Sequence, residues 1–140
     1  LHASDRPILL VAGATGFAPI QCIVEDALHR GIRRPMHLYW GTRSAAEFYG
    51  LDRIADWQRV HPGLTAALVV SGTDDAGWTG RRGLVHEAML ADFPDLSGFE
   101  VYVCGSVAMI HAAVPEFLAH GLPVDACHTD TFHPGLHVPA

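Results

Sequence analysis

The segment from Leu9 to Pro19, LLVAGATGFAP, constrains the fold of this chain more than any other part of the sequence. Its first residues are continuously apolar, as in a strand that is buried on both faces of a parallel sheet. Small residues follow at Gly13–Gly16, and helical sequence begins near Ala18, with Pro19 suited to the first turn. Such a turn lets an anion approach bare backbone N–H groups at the positive end of a helix. The pattern therefore predicts a strand–turn–helix unit that can bind phosphate.

A second glycine turn follows a later apolar strand, in the sequence Tyr102-Val103-Cys104-Gly105-Ser106. In a parallel sheet the carboxyl ends of the strands share one edge, and ligands bind where the order of the strands reverses. Two glycine turns at strand ends thus predict a dinucleotide that lies across the carboxyl edge of the sheet.

The remaining apolar runs alternate with helical patterns along the chain. Strands are predicted at 8–12, 37–40, 64–70, 101–104 and 127–132, and helices at about 18–29, 45–60, 84–91 and 107–120. Residues 72–83 are predicted as a loop, residues 1–6 as a linker and residues 133–140 as an irregular tail. Because crossovers between parallel strands are right-handed, this order predicts an α/β fold. The sheet is expected to be a doubly wound, five-stranded, parallel, Rossmann-like sheet with helices on both faces.

Composition excludes several classes of protein. The net charge of −6 argues against nucleic acid as a partner, and no apolar run is long enough to cross a membrane. The chain contains no lysine, which excludes a phosphate-binding loop of the G-x-x-x-x-G-K type, a Schiff-base lysine and the Tyr-x-x-x-Lys pair of short-chain dehydrogenases. Its three cysteines form neither a metal-type pair nor an even disulfide set, which favours a reducing cytoplasm.

The ten histidines do not predict a metal site. His128, His133 and His137 cluster near the end of the chain, but Pro134 and Gly135 interrupt any helical face that would align the last two. No carboxylate or cysteine spacing completes a zinc set, so these histidines are interpreted as solvated surface residues and no metal is expected.

Four segments together resemble the NAD(P)H-binding domain of the ferredoxin–NADP reductase superfamily. They are Gly13-Ala14-Thr15-Gly16-Phe17-Ala18-Pro19, Tyr39-Trp40-Gly41-Thr42-Arg43, Trp78-Thr79-Gly80-Arg81-Arg82-Gly83 and Val103-Cys104-Gly105-Ser106-Val107-Ala108-Met109. The chain is similar to bacterial flavin reductases, to reductases of iron–sulfur oxygenases and to the CDP-6-deoxy-glucoseen reductase group. The resemblance runs over about residues 7–132, which are expected to form the NAD(P)H-binding domain.

The resemblance implies a role for each segment. Gly13, Ala14, Thr15, Gly16 and Pro19 would bind the cofactor diphosphate, because a β-carbon at the glycine positions would obstruct it, and Thr15 could also donate to the nicotinamide carboxamide. Arg43 would contact a phosphate or the adenosine, or else would pair with Glu47 on the surface. Cys104 would lie beside the nicotinamide ring as the catalytic residue, with Gly105 and Ser106 next to it, or would be an inert thiol at a strand end.

Four further residues depart from the family pattern, leave alternatives open or are placed near the flavin by the resemblance. Ser106 replaces the usual proline but suits a helix N-cap. Met109 would line the cofactor groove or would belong to the core, and Phe132 could stack near the flavin or the nicotinamide. Asp130, which precedes Phe132 on the last strand, occupies a position that faces the flavin in the family.

The segment after the third strand favours NADH over NADPH. It reads Ser71-Gly72-Thr73-Asp74-Asp75, in place of the Ser-Arg pair that many NADPH-specific members carry. The two carboxylates, Asp74 and Asp75, would repel a 2′-phosphate and could accept hydrogen bonds from a free ribose diol. Arg81 and Arg82 could reverse the preference by folding back towards this segment.

The resemblance implies hydride transfer from the nicotinamide to FAD, with electrons passing to an iron–sulfur centre, free flavin, ferredoxin or an oxygenase. The flavin domain of the same polypeptide is expected upstream and is absent from this chain, as is a cysteine set for a [2Fe–2S] cluster. The chain alone should therefore bind nucleotide without turnover. Two alternatives stay open: a non-catalytic module that senses NAD(H), and an α/β interaction domain that binds no nucleotide.

Overall fold

A computed structural model describes residues 5–13, 16–72 and 77–132 of the chain, with Thr131 and Phe132 described by their backbone alone. Within these residues there are six strands and four α-helices. They are β1 (Ile8–Gly13), α1 (Phe17–His29), β2 (Met36–Thr42), α2 (Leu51–Val60), β3 (Leu64–Val70), β4 (Arg81–Arg82), α3 (Val85–Asp92), β5 (Glu100–Ser106), α4 (Val107–Ala119) and β6 (Cys127–Phe132). The strands form one sheet in the order β4-β3-β2-β1-β5-β6, and every pair is parallel.

The helices cover both faces of this sheet, which confirms the predicted doubly wound architecture. Strand β1 lies at the centre, and Ile8–Ala12 have no exposed surface. Its alternate side chains enter two separate cores, one formed with α1 and α2 and the other with α3 and α4. Burial on both faces explains why the strand is continuously apolar. No helix in the described part of the chain is long and apolar enough to cross a membrane.

The prediction of five strands was wrong by one. Strand β4 consists of Arg81 and Arg82, which pair with Val69 and Val70 inside the predicted 72–83 loop. A two-residue strand of charged side chains at a sheet edge has no apolar run or alternation that periodicity could detect.

The single helix predicted over 45–60 was also wrong. A short 3₁₀ turn at Ala45–Glu47 begins with a capping box between Ser44 and Glu47, and α2 starts only at Leu51. The residue before α2 is Gly50, whose φ of 65° lies in the left-handed region that favours glycine. The helical spacing of apolar residues continues across this break, so the pattern alone did not reveal it.

An aromatic cluster fixes the start of α1 against the end of β2. Phe17, the first residue of α1, stacks on Trp40 with ring centroids 4.0 Å apart and an interplanar angle of 8°. Tyr49 contacts both rings edge-on, and Trp57 closes the cluster at 5.9 Å from Phe17. Phe17 and Trp40 are fully buried, so their packing holds the helix start in one position at the carboxyl edge of the sheet.

A buried ionic network lies at the opposite edge of the sheet, where the strands begin. The Arg34 guanidinium donates to Glu100 Oε1 at 2.5 Å, and His128 Nε2 lies 3.0 Å from Glu100 Oε2. Arg34 also donates through Nε to the backbone carbonyl of Arg6, so the network ties the segment before β1 to β5 and β6. Burial opposes the ionisation of Glu100, but its hydrogen bonds from Arg34 and His128 outweigh burial and lower its pKa. The interpretation of His128 as a solvated surface residue was therefore wrong, because 19% of its side chain is exposed and the ring belongs to this network.

Candidate functional site

The candidate site lies where the order of the strands reverses, between the carboxyl ends of β1 and β5. These strands are neighbours, with Ala12 opposite Cys104. The chain leaves β1 through α1 on one face of the sheet and leaves β5 through α4 on the other face. Diverging connections of this kind open a crevice at the carboxyl edge of a doubly wound sheet, which is where such folds bind ligands.

The start of α1 has the properties of an anion site. Gly16 is its N-cap residue, no side chain among the described residues caps the helix, and the first turn carries no acidic residue. The first backbone N–H groups of a helix have no partner within the helix, and the helix dipole favours negative charge near them. Pro19 is the third residue of α1 and removes a donor that would in any case lack an intrahelical acceptor. Ala14 and Thr15, which complete the predicted turn, lie outside the described residues.

The two turns are in direct backbone contact. A β-carbon at Gly16 would lie 2.2 Å from the carbonyl oxygen of Cys104, a distance that no side chain could accept. Glycine at this position therefore lets the start of α1 lie against the end of β5. This contact fixes the distance between the carboxyl ends of β1 and β5, and it therefore sets the geometry of the crevice between them.

Gly13 and Gly105 both lie against Met109, a packing contact that the sequence did not predict; their predicted role in cofactor approach stays a prediction. A β-carbon at Gly13 would lie 2.6 Å from Met109 Sδ, and one at Gly105 would lie 2.3 Å from the same atom. Met109 is partly buried and packs against the core beneath α3 and α4. The two glycines thus allow α4 to approach the sheet, and their missing β-carbons point at Met109 rather than into open space.

The second turn is capped by its own serine. The Ser106 Oγ accepts a hydrogen bond from the backbone N–H of Met109 at 3.1 Å, so Ser106 is the N-cap of α4, as the sequence predicted. A side chain thereby already caps the start of α4, whereas no side chain in the described part of the chain caps the start of α1. Of these two helix ends, the start of α1 is the better site for a phosphate group.

Cys104 lines a cavity of about 330 Å³ beside the crevice. The cavity lies between α1 and the β5–β6 pair, and its walls are formed by Pro19, Cys22, Ile23, Tyr102, Cys104, His128, Thr129 and Asp130. Cys104 is 3% exposed and stands opposite Asp130 in the strand register. Burial, with a smaller contribution from the Asp130 carboxylate, raises the pKa of Cys104 to about 12. The thiol is therefore neutral at physiological pH, which makes it neither a nucleophile nor an acid–base group there.

The structure brings most of the predicted site residues to one place. Those at the crevice are Gly13, Gly16, Pro19, Cys104, Gly105, Ser106 and Met109. Arg43 is exposed just beyond the end of β2, and its backbone carbonyl accepts from Gly72 N–H at 2.9 Å. Asp74 lies outside the described residues, as does the side chain of Phe132, although its backbone ends β6 opposite Ser106. Within the described residues, no group of three or more His, Cys, Asp or Glu side chains could hold a metal ion.

Several cavity residues were not identified from the sequence. Cys22 and Ile23 lie on α1. Tyr102 on β5 and His128 on β6 are in ring contact, with centroids 4.5 Å apart and planes tilted by 30°. The period-2 alternation of β5 could have shown that Tyr102 and Cys104 share a face. No signal in the sequence shows which helix residues face the same strands.

Comparison with known proteins assigns this architecture to a family. The family model described as the oxidoreductase NAD-binding domain matches residues 10–114. A CDP-6-deoxy-L-threo-D-glycero-4-hexulose-3-dehydrase reductase from Yersinia pestis is 46% identical over 134 residues, which are 96% of this chain and 40% of that protein. An NAD(P)H-flavin reductase from Aliivibrio fischeri is 36% identical over 114 residues, or 81% of this chain and 48% of that protein.

A solved structure extends the likeness to three dimensions. The cytochrome P450 reductase GcoB from Amycolatopsis superposes with a TM-score of 0.85 at 33% identity, over 93% of this chain and 38% of that one. The chain thus spans less than half the length of each of these proteins. On the match of the family model and of these relatives, the chain belongs to the oxidoreductase NAD-binding domain family of the ferredoxin–NADP reductase superfamily.

Proposed function

We propose that residues 7–132 are the nicotinamide-nucleotide domain of a flavin-dependent oxidoreductase, which presents NADH, or less readily NADPH, to FAD held by a flavin domain of the same polypeptide. The observation that carries this proposal is the contact between the two turns at the strand-order reversal, where the start of α1, which no described side chain caps, lies against Cys104. One crevice thereby offers a diphosphate site and, next to it, a buried neutral thiol at the wall of a cavity. The Yersinia and Aliivibrio relatives are both named as reductases, which favours this function over a purely regulatory one.

The residues of the crevice fit a nicotinamide dinucleotide. The backbone of Gly13, Ala14, Thr15 and Gly16 and the first turn at Pro19 would hold the diphosphate at the start of α1. Arg43, exposed beyond β2, would contact the adenosine half, and Asp74 would accept from the ribose diol. Gly105, Ser106 and Met109 would form the opposite wall of the groove, and Phe132 would lie near the flavin.

Cys104 acts by position in this proposal. The chemistry would be that of the cofactors: NADH in the crevice would supply a hydride from C4 of its nicotinamide ring to N5 of FAD held by the flavin domain. Because the thiol stays protonated and buried, Cys104 can pack against the ring without taking part in acid–base chemistry. Hydride transfer requires close alignment of the two rings, and alignment is what a rigid strand end can provide.

The cavity between α1 and β6 is the side from which the flavin would reach the nicotinamide. Helix α4 packs on β5 and β6 on one face of the sheet, while on the other face His128 and Asp130 of β6 line the cavity. Electrons would pass onward to a ferredoxin, a [2Fe–2S] centre, free flavin or an oxygenase. The Amycolatopsis relative, named a cytochrome P450 reductase, is consistent with an oxygenase acceptor. We place the protein in the cytoplasm.

Rapid-mixing measurements on the flavin-containing, full-length protein test this function. Under anaerobic conditions, Cys104→Ala should slow flavin reduction by NADH about ten- to a hundredfold, since small misplacements of reacting atoms have effects of this size. The matched control is Cys127→Ala, which removes a half-buried thiol that packs against the core under α3 and α4. Equal rates for the two variants would contradict the role of Cys104. Nucleotide binding without any flavin reduction in the unmodified protein would favour an NAD(H)-sensing module.

A further inference from the structure

Strand β4 places two arginines beside the end of β3, and their side chains take different directions. Arg81 pairs with Val69 and Arg82 with Val70, at the carboxyl edge of the sheet. Successive side chains of a strand point to opposite faces. Arg82 donates to the backbone carbonyls of Gly72 and Trp78 and so stays with its own loop. Arg81 instead extends over the face of the sheet that α3 covers.

Arg81 is held on that face by three groups. Its NH1 donates to Asp92 Oδ2 at 2.5 Å, its NH2 donates to the carbonyl of Ala88 at 3.0 Å, and its guanidinium carbon lies 5.9 Å from the ring centroid of Tyr39. The Tyr39 hydroxyl donates to the same Asp92 oxygen at 2.6 Å. Asp92 is the last residue of α3, so this clamp draws the arginine towards the end of that helix.

The position of Arg81 bears on the choice of cofactor. In doubly wound folds the adenosine ribose lies at the carboxyl edge of the sheet, and an arginine near it accommodates the 2′-phosphate of NADPH. A guanidinium is well suited to bind phosphate because it can donate two parallel hydrogen bonds. The backbone of Arg81 lies at this edge, but its charge is already paired with Asp92 on the α3 face.

We infer that Asp92 is a positioning residue that sets cofactor specificity: by pairing with Arg81 at the partly exposed end of α3, it withholds a cation from the 2′-phosphate site and favours NADH. This inference rests on the proposed function, because it concerns the same nucleotide site. This contribution to specificity comes from withholding the Arg81 guanidinium from the 2′-phosphate of NADPH, and it does not depend on a repulsive group. Arg43 and Arg82 also lie at this edge. Both are unchanged in every variant of the test, so any contribution they make to NADPH binding is the same in all of them.

The test compares the affinities of this chain for NADH and NADPH, measured by two-dimensional NMR titration. Asp92→Asn keeps the shape of the side chain and removes its charge, and the folded spectrum reports whether the domain is intact. Releasing Arg81 should raise the affinity for NADPH relative to NADH about fivefold, the size expected for a partly exposed arginine–phosphate pair. The matched control is Glu87→Gln, which removes an exposed carboxylate from the same helix and should leave the ratio of affinities unchanged.

A second pair of variants tests whether Arg81 causes the change in the ratio of NADPH to NADH affinity. Arg81→Met alone should not change the ratio, and Asp92→Asn combined with Arg81→Met should abolish the gain in NADPH affinity. A ratio in Asp92→Asn equal to that of Glu87→Gln would overturn the inference, as would a selective loss of NADPH binding in Arg81→Met. Failure of the unmodified chain to bind either nucleotide would overturn the proposed function itself, together with this inference.

Discussion

Replacing Gly13 with alanine tests whether the glycine at the end of β1 serves helix packing or cofactor approach. The added β-carbon would lie 2.6 Å from Met109 Sδ, whereas ordinary contacts begin near 3.4 Å. The thioether would therefore have to retreat by roughly 1 Å against the surrounding atoms. Overpacking of this kind costs about 1–3 kcal/mol, and the flexibility of methionine places the expected loss at about 1–2 kcal/mol.

Urea unfolding of four proteins measures this cost: the unmodified chain, Gly13→Ala, Met109→Ala and the double variant. If the clash is the cause, the double variant should be more stable than the sum of the single effects by about 1–2 kcal/mol. Gly98→Ala is the control, because a β-carbon at Gly98 would meet nothing within 4 Å. Additive effects in the cycle would refute the packing argument.

The same four proteins separate packing from ligand approach when they are titrated with NADH. If the missing β-carbon faces only Met109, the double variant should bind NADH as well as Met109→Ala does. If the β-carbon added by Gly13→Ala instead meets the diphosphate, binding should stay weak in the double variant. That second outcome would restore the steric reason that the sequence suggested for this glycine.

Three further predictions concern stability. Arg34→Met removes the guanidinium partner of the buried Glu100 carboxylate, which keeps its contact with His128, and should lower the free energy of unfolding by about 2–3 kcal/mol in urea. Arg30→Met, at an exposed pair, should change it by less than about 0.5 kcal/mol in the same assay. Ser106→Ala removes the N-cap of α4 and should cost about 1 kcal/mol in the same assay. Because the pKa of Glu100 is lowered from its ordinary 4.5, the stability it contributes is present above that pH and is lost as pH falls through the folded-state value. Glu100→Gln should therefore flatten the loss of stability as the pH falls below 4.5, and an unchanged slope would contradict the network.

The general architecture could be predicted because the strands of the sheet are long, apolar and separated by clear helical patterns. The run at Ile8–Ala12 is fully buried on both faces, and that burial is what makes a parallel central strand recognisable in the sequence. The two glycine turns were identified for the same reason, since each directly follows such a strand. Strand β4 and the break at Gly50 were not predicted. The first depends on two charged residues and the second on one backbone conformation, and neither gives an apolar pattern.

The candidate site was predictable as a set of positions but not as a set of contacts. The contact of Gly16 with the Cys104 carbonyl joins residues that are far apart in the sequence, and only the register of β1 and β5 brings them together. Likewise, nothing in the sequence indicates that Asp92 pairs with Arg81 or that His128 reaches the buried Glu100. Long-range polar pairs of this kind depend on side-chain directions that helical and strand periodicity do not specify.

The central claim is that this chain binds a nicotinamide nucleotide in the crevice between β1 and β5. Titration of the chain with NADH, followed by two-dimensional NMR, tests the claim most directly because the method detects even millimolar affinity. We predict chemical-shift changes that cluster at residues 13–19 and 104–109 and at Arg43, and that are larger with NADH than with NADPH. Shifts confined to other parts of the sheet, or no shifts with either nucleotide, would contradict the account.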